Sequence, residues 1–242
     1  DLMKAGPSAV SEIRKLGKPD LVCHYHFLGA VGKKLFDIHN STLRGLLRQN
    51  KVRSELRELL RELRRYRKSD SFKGRFGSGQ IRNDLLALVL WVLEEDSKKK
   101  PSYPFALPYL EFYQRCQQAM QRADRWVPSP QTQPEQLALK QFSEIVGRVD
   151  LDKGFAQTAR ELEKGLLTFF ELRDVLRLTG TELLRSEMSQ QKVGPDIECK
   201  LLEKIKKESE KYKQQLQDRV GGQDKKKTTT PEGIILNYLK RY

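Results

Sequence analysis

The sequence predicts a mainly α-helical protein with one short strand close to the N-terminus. Apolar residues recur every three or four positions through most of the chain, which is the spacing of the buried side of an amphipathic helix. Only residues 20–26 combine β-branched and aromatic side chains in a short run typical of a strand. No apolar run approaches the length of a membrane-spanning helix. These observations favour a helical fold with a small α/β portion.

The N-terminal elements are predicted from apolar spacing and from helix-terminating residues. Residues 8–16 are expected to form a short helix, and residues 20–26 form the strand. A helix over residues 27–38 follows, and Asn40 or Ser41 is expected to cap the next one. The predicted buried stripe of the helix over residues 27–38 consists of Leu28, Val31, Leu35 and Ile38.

The helix predicted over residues 43–67 is strongly basic. One of its faces is apolar, and arginines recur at every fourth position on another face. Between Arg44 and Arg75 the chain has twelve Lys or Arg and four Asp or Glu. The interleaved glutamates can form ion pairs with the arginines on a solvated helix face. The excess of positive charge nevertheless favours contact with phosphate. A flexible basic loop is predicted over residues 69–79. The candidate DNA-binding residues are Arg53, Arg57, Arg61, Arg65, Lys73 and Arg75.

The rest of the chain continues the helical pattern. The segment over residues 81–93 is almost entirely apolar and is expected to be the most buried helix. Residues 198–220 carry apolar positions spaced like a coiled-coil seam, which favours either a helical hairpin within the chain or a homo-oligomer contact. The further helices are predicted over residues 81–93, 109–126, 137–149, 156–177, 198–220 and 233–242.

The charge balance predicts a polyanionic partner. The 242 residues include 46 Lys or Arg and 32 Asp or Glu, for a net charge of +14. Nucleic acid is the commonest partner of such a chain, and no membrane association is expected. Three cysteines without paired spacing argue against a disulfide framework. A cytoplasmic location is therefore expected.

Cys23 and His26 form a Cys-x-x-His pair that permits two interpretations. A zinc site needs three or four ligands, and only His39 and Cys116 remain as further contributors, at no recognised spacing. The alternative is a buried small cysteine and a polar residue at a helix start. The sequence alone leaves both interpretations open.

The same segment carries a family resemblance. The run Val22-Cys23-His24-Tyr25-His26-Phe27-Leu28, followed by Gly32-Lys33-Lys34-Leu35, resembles bacterial insertion-sequence transposases of the DDE type. Residues 104–110 and 232–242 are similar to stretches of the same proteins. The resemblance spans most of the chain, and its Cys-x-x-His block is the most specific part.

The resemblance implies a ribonuclease-H-like catalytic fold and metal-dependent DNA strand cleavage and transfer. In such enzymes three carboxylates hold two divalent ions, Mg²⁺ or Mn²⁺. Asp1 corresponds to the second catalytic Asp and metal ligand, and Cys23 and His26 correspond to the accompanying signature. The chain offers no match for the first Asp, and Glu232 is the nearest candidate for the final Glu only by position.

The implied organisation has three parts. Residues 1–40 would be a partial ribonuclease-H-like catalytic segment, residues 41–220 an all-helical insertion, and residues 221–242 a linker and the start of a catalytic-domain helix. We therefore expect a piece of a DNA transposase that is inactive alone. The alternative is a non-enzymatic helical nucleic-acid-binding or adaptor module.

Overall fold

A computed structural model describes residues 24–68, 80–94, 103–126, 133–187, 195–221 and 230–239, and these residues are almost entirely helical. No strand occurs in these ranges, so the predicted mainly α class is confirmed. A short 3₁₀ turn over Asp124–Trp126 follows the fourth helix. The helices are α1 His24–Gln49, α2 Val52–Lys68, α3 Gln80–Leu93, α4 Pro108–Ala123, α5 Gln133–Leu151, α6 Lys153–Glu187, α7 Pro195–Val220 and α8 Pro231–Leu239.

The strand prediction is wrong for residues 24–26. His24–His26 form the first turn of α1, and residues 20–23 lie outside the described ranges, as does the helix predicted over residues 8–16. Phe27, Leu28 and Val31 are buried at helical spacing immediately afterwards. Extending an anchored helix by one turn costs little, because each added residue gains a backbone hydrogen bond.

Helix α1 also continues through the predicted cap at Asn40 or Ser41. The Thr42 hydroxyl donates to the Ile38 carbonyl at 2.9 Å, so this side chain bonds to the preceding turn within the helix. Ile38 is 74% exposed, which contradicts its predicted burial, and Phe36 is fully buried instead. The buried side of α1 is therefore rotated toward Phe36.

The helix predicted over residues 43–67 is two helices. Helix α1 ends at Gln49 and α2 begins at Val52. Between them Lys51 has a φ of 52°, which is left-handed backbone that a non-glycine residue rarely adopts. The chain changes direction at this residue.

The structure divides into two compact units. Unit 1 comprises residues 1–37 and 163–242, and unit 2 comprises residues 38–162. Helices α1 and α6 contribute residues to both units. The domain boundaries predicted at residues 40 and 220 follow from the family resemblance, and they stay a prediction.

Unit 1 has an aromatic and aliphatic core. Phe36 of α1 packs edge-on against Phe169 of α6, with ring centroids 5.5 Å apart. A Cβ atom at Gly165 would lie 3.2 Å from the Phe36 ring, so glycine allows this close approach. Helix α8 packs on α7, and its first turn is capped by Thr230, whose hydroxyl accepts a hydrogen bond from the Gly233 amide at 3.2 Å.

The seam predicted over residues 198–220 contributes to this core. Tyr212 and Leu216 are buried within the chain, and the Tyr212 hydroxyl donates to the Thr168 carbonyl at 3.2 Å. Leu202 and Ile205, the other two seam positions, are among the residues whose side chains are not described. The predicted homo-oligomer contact stays a prediction.

Unit 2 is a helical cluster in which α2, α3, α4 and α5 pack on one another. Tyr113 of α4 stacks on Phe155 of α6, with centroids 6.2 Å apart and ring planes 6° apart. Arg115 closes the end of α3, because its guanidinium donates to the carbonyls of Trp91 and Glu94. Within the described ranges no helix combines the length and apolarity needed to cross a membrane. The largest fully buried side chains of this unit are Phe112, Phe142, Phe155, Leu43, Leu56, Leu59, Leu63, Leu85, Leu110 and Leu162.

Candidate nucleic-acid interface

Helix α2 separates leucines from arginines along its length. Its apolar face is buried, as predicted, against α3 and α5. Since neighbouring faces of a helix point in different directions, burial of the leucines turns the arginines outward. The buried residues are Leu56, Leu59, Leu60 and Leu63, and the exposed arginines are Arg57, Arg61, Arg64 and Arg65.

Arg53 differs from the other three members of the predicted arginine stripe. Arg57, Arg61 and Arg65 are exposed, whereas Arg53 is half-buried. The Arg53 guanidinium lies 4.7 Å from the ring centroid of Phe112 and 6.0 Å from that of Tyr109. These cation–π contacts hold its charge against α4.

The turn between α1 and α2 brings two helices' cations to one place. The Asn50 amide and side-chain nitrogens both donate to the Leu46 carbonyl, and the Lys51 amide donates to the Arg48 carbonyl. The Ser54 hydroxyl then donates to the Lys51 carbonyl at 2.8 Å, in the first turn of α2. This local network ends one helix and starts the next within two residues.

We call the resulting surface the basic groove. It has a volume of about 330 Å³ and lies between α1, the turn, the start of α2 and Tyr109 of α4. Among the residues that the structure describes, no Asp or Glu lines it. The Arg44 guanidinium also approaches the Tyr109 ring, at 5.9 Å from the centroid. The lining residues are Arg44, Leu47, Arg48, Lys51, Arg53, Ser54, Arg57 and Tyr109.

Glu55, the acidic residue nearest to the groove in sequence, is bound by Arg148 of α5. Arg148 Nη1 donates to Glu55 Oε1 at 3.3 Å, and Nη2 donates to Oε2. The same Nη1 donates to the Asn50 carbonyl at 3.1 Å, in the turn itself. One arginine therefore neutralises the carboxylate and also holds the turn that shapes the groove.

The ion pair between Arg61 and Glu58 on α2 is weak. Arg61 and Glu58 lie 3.8 Å apart, and both side chains are more than half exposed. An exposed pair at this helical spacing contributes about 0.3–0.5 kcal/mol. The pair therefore does not prevent Arg61 from meeting another anion.

Several predicted site residues lie outside the described ranges: Asp1, Cys23, Lys73 and Arg75. His26 is half-buried in the first turn of α1. No group of three or more His, Cys, Asp and Glu side chains suited to a metal ion occurs in the ranges that the structure covers. Cys116 is fully buried in α4, and burial raises the pKa of its thiol to about 12.

Four charged or aromatic members of the groove were not among the predicted DNA-binding residues. Arg44 and Arg48 are spaced four residues apart and so share one face of α1, which is a signal that the sequence contains. Lys51 and Tyr109 carry no comparable signal. Their place in the groove depends on the turn at Lys51 and on the packing of α4.

Comparison of the chain with protein-family models, with curated proteins and with solved structures finds no match in any of the three.

Proposed function

We propose that this chain is part of a DNA transposase and that the basic groove contacts the DNA backbone. The observation that carries the DNA contact is the convergence of five cationic side chains in one groove without a lining carboxylate among the described residues. The transposase assignment is supported by the resemblance around Cys23 and His26 and by the largely helical character expected of an insertion.

The chemistry of the groove suits phosphate. Arg presents several N–H donors in a fixed plane that matches phosphate oxygens, and Lys adds a point charge. Contacts of this kind position a protein on DNA without reading its sequence. The exposed arginines of α2 extend the positive charge from the groove along the helix.

The resemblance assigns catalysis to residues outside the helices described above. Asp1 would be one carboxylate ligand of a Mg²⁺ or Mn²⁺ pair, which activates the attacking oxygen and stabilises the leaving oxygen when bound. Two further carboxylates would have to complete such a site. The described helices would hold and orient DNA, and the ribonuclease-H-like edge at the N-terminus is part of the same proposal.

Salt-dependent DNA binding tests the groove. Fluorescence anisotropy with a labelled duplex gives the slope of log affinity against log salt concentration. We expect the double variant Arg44→Gln/Arg48→Gln to make this slope less steep by the contribution of about two phosphate contacts, at roughly 0.9 per contact. Arg160→Gln, at an exposed position of α6 outside the groove, is the matched control. An unchanged slope in the double variant would remove the groove from the DNA interface.

A second candidate is a non-enzymatic helical nucleic-acid-binding or adaptor module. The helical start of α1, where a strand was predicted, favours it. Both candidates predict binding by the groove, so binding does not separate them. The assay uses a protein that contains the complete catalytic segment. Strand transfer in Mg²⁺ that is abolished by Asp1→Ala would support the transposase. DNA binding without metal-dependent strand transfer would support the module.

A further inference from the structure

We infer that the basic groove receives the terminal phosphate monoester of a nucleic-acid strand, in preference to an internal phosphodiester. The inference rests on the proposed contact between this groove and DNA, and it names the part of the strand that the groove takes. Three features carry it: the concave shape, the excess of positive charge, and the fixed positions of two arginines.

The groove is walled by separate elements. Helix α1 supplies Arg44 and Arg48, the turn supplies Lys51, and α4 supplies Tyr109 opposite the first turn of α2. An internal phosphodiester has a strand leaving on two sides, whereas a terminal phosphate is attached on one side only. A concave site between three helices can take a group that is attached to its strand on one side only.

The charge of the groove exceeds what one phosphodiester requires. Five cations line it, and the start of α2, where Lys51, Arg53 and Ser54 lie, adds the positive end of a helix dipole. A phosphate monoester carries a charge of about −1.5 to −2 at pH 7, whereas a diester carries a single charge. The additional negative charge of the monoester can interact with the cations that line the groove.

Two of the arginines are held in place by aromatic rings. The guanidiniums of Arg44 and Arg53 both lie about 6 Å from the Tyr109 ring centroid, and Arg53 also lies over Phe112. Side chains fixed in this way lose less conformational entropy when an anion binds. The groove is therefore partly organised for its ligand in advance.

The pH dependence of the preference for a phosphorylated end should come from titration of the ligand and not from titration of the groove. The charged and titratable groups that face the groove are Arg44 and Arg48 from α1, Lys51 from the turn, Arg53 and Arg57 from α2, and Tyr109 from α4. Among the described lining residues there is no His, Asp or Glu, the types that ordinarily titrate between about pH 4 and pH 7. The second ionisation of a phosphate monoester has a pKa of about 6. The preference for a phosphorylated end should thus weaken between pH 7.5 and pH 5.

The test compares oligonucleotides of one sequence that end in a 5′-hydroxyl, a 5′-phosphate or a 3′-phosphate, measured by anisotropy. At pH 7.5 we expect a phosphorylated end to raise the affinity about five- to tenfold over the hydroxyl end, because it adds a charge of about −1.5 to −2 near several cations. Arg48→Gln should lose most of this increment, whereas Arg160→Gln should keep it. Arg44→Gln repeats the test at a second groove position, and circular dichroism confirms that each variant is folded.

Each outcome distinguishes the inference from the proposed function. Equal affinity for all three ends, with salt-dependent binding retained, overturns the inference and leaves the backbone contact intact. Absence of binding to every oligonucleotide contradicts the proposed function itself. Inorganic phosphate serves as the competitor: groove-dependent binding of phosphate with no end preference assigns the groove to a free phosphate ligand and also overturns the strand-end inference.

Discussion

Replacing Arg148 by Ala should destabilise unit 2 and loosen the turn that shapes the basic groove. The substitution removes the hydrogen bonds to the Glu55 carboxylate and the 3.1 Å bond to the Asn50 carbonyl. A fully buried hydrogen bond to a charged group contributes about 1.5–3 kcal/mol, but the two side chains are 37% and 32% exposed, so we expect about 1 kcal/mol from the pair. The backbone bond adds about 0.5–1.5 kcal/mol.

The assay is urea denaturation of the wild type, Arg148→Ala, Glu55→Ala and the double variant. We expect Arg148→Ala to lower the free energy of unfolding by about 1.5–2.5 kcal/mol. The double-mutant cycle isolates the contribution of the Arg148–Glu55 pair from that of the turn. Arg148→Lys, which keeps the charge but not the forked donor geometry, is the control and should recover only part of the loss.

We expect a coupling energy of about 1 kcal/mol between Arg148 and Glu55. A coupling within about 0.3 kcal/mol of zero would refute the claim that this pair joins α5 to α2, since independent sites give additive effects. A loss in Arg148→Ala with no change in affinity for DNA would show that the turn is stabilised without shaping the groove.

Three further predictions concern the cores of the two units. Cys116 should resist alkylation at pH 8.5 in the folded protein and react in urea, as measured by peptide mass mapping, because burial holds the pKa of its thiol at about 12; reaction at equal rates would contradict its burial. This raised pKa stabilises the folded state below pH 8.5–9, and the contribution is lost as the pH rises toward 12. Gly45→Ala should stabilise the protein by about 0.4–1 kcal/mol, since no atom lies within 4 Å of the new Cβ, and Gly165→Ala should be less favourable because its Cβ meets Phe36; the reverse order in thermal denaturation would contradict the packing. Tyr212→Phe should cost about 0.5–1.5 kcal/mol in urea denaturation through loss of the hydroxyl that can donate to the Thr168 carbonyl or to Glu171, and no loss would contradict a stabilising role for this hydroxyl.

Helical periodicity allowed most of the fold to be predicted. Leucines at Leu56, Leu59 and Leu63 can share one buried face only if the segment is a helix, and that face is buried. The outward position of Arg57 and Arg61 follows from the same spacing. The predicted helix over residues 81–93 agrees with Gln80–Leu93 for the same reason. Local spacing was sufficient for these two helices.

Periodicity was misleading at two places in α1. Ile38 satisfies the spacing of Leu28, Val31 and Leu35 but is exposed, whereas Phe36 is buried and packs against Phe169 of α6. The end of the predicted strand is also helical, since a short run of apolar and aromatic residues next to a strong helical stripe is ambiguous between strand and helix.

The sequence by itself determined the helical class, the burial of the leucine face of α2 and the positive charge of the segment that contains it, because these depend on residue type and local spacing. The basic groove depends on tertiary structure, because Arg148 of α5 supports the locally bonded turn at Lys51 and α4 places Tyr109 beside it. Neither Gly nor Pro marks this turn, and its left-handed residue is opposed by local sterics. The turn is held by Arg148, which is 98 residues from Asn50 in sequence, and no local pattern can reveal a contact between residues so far apart.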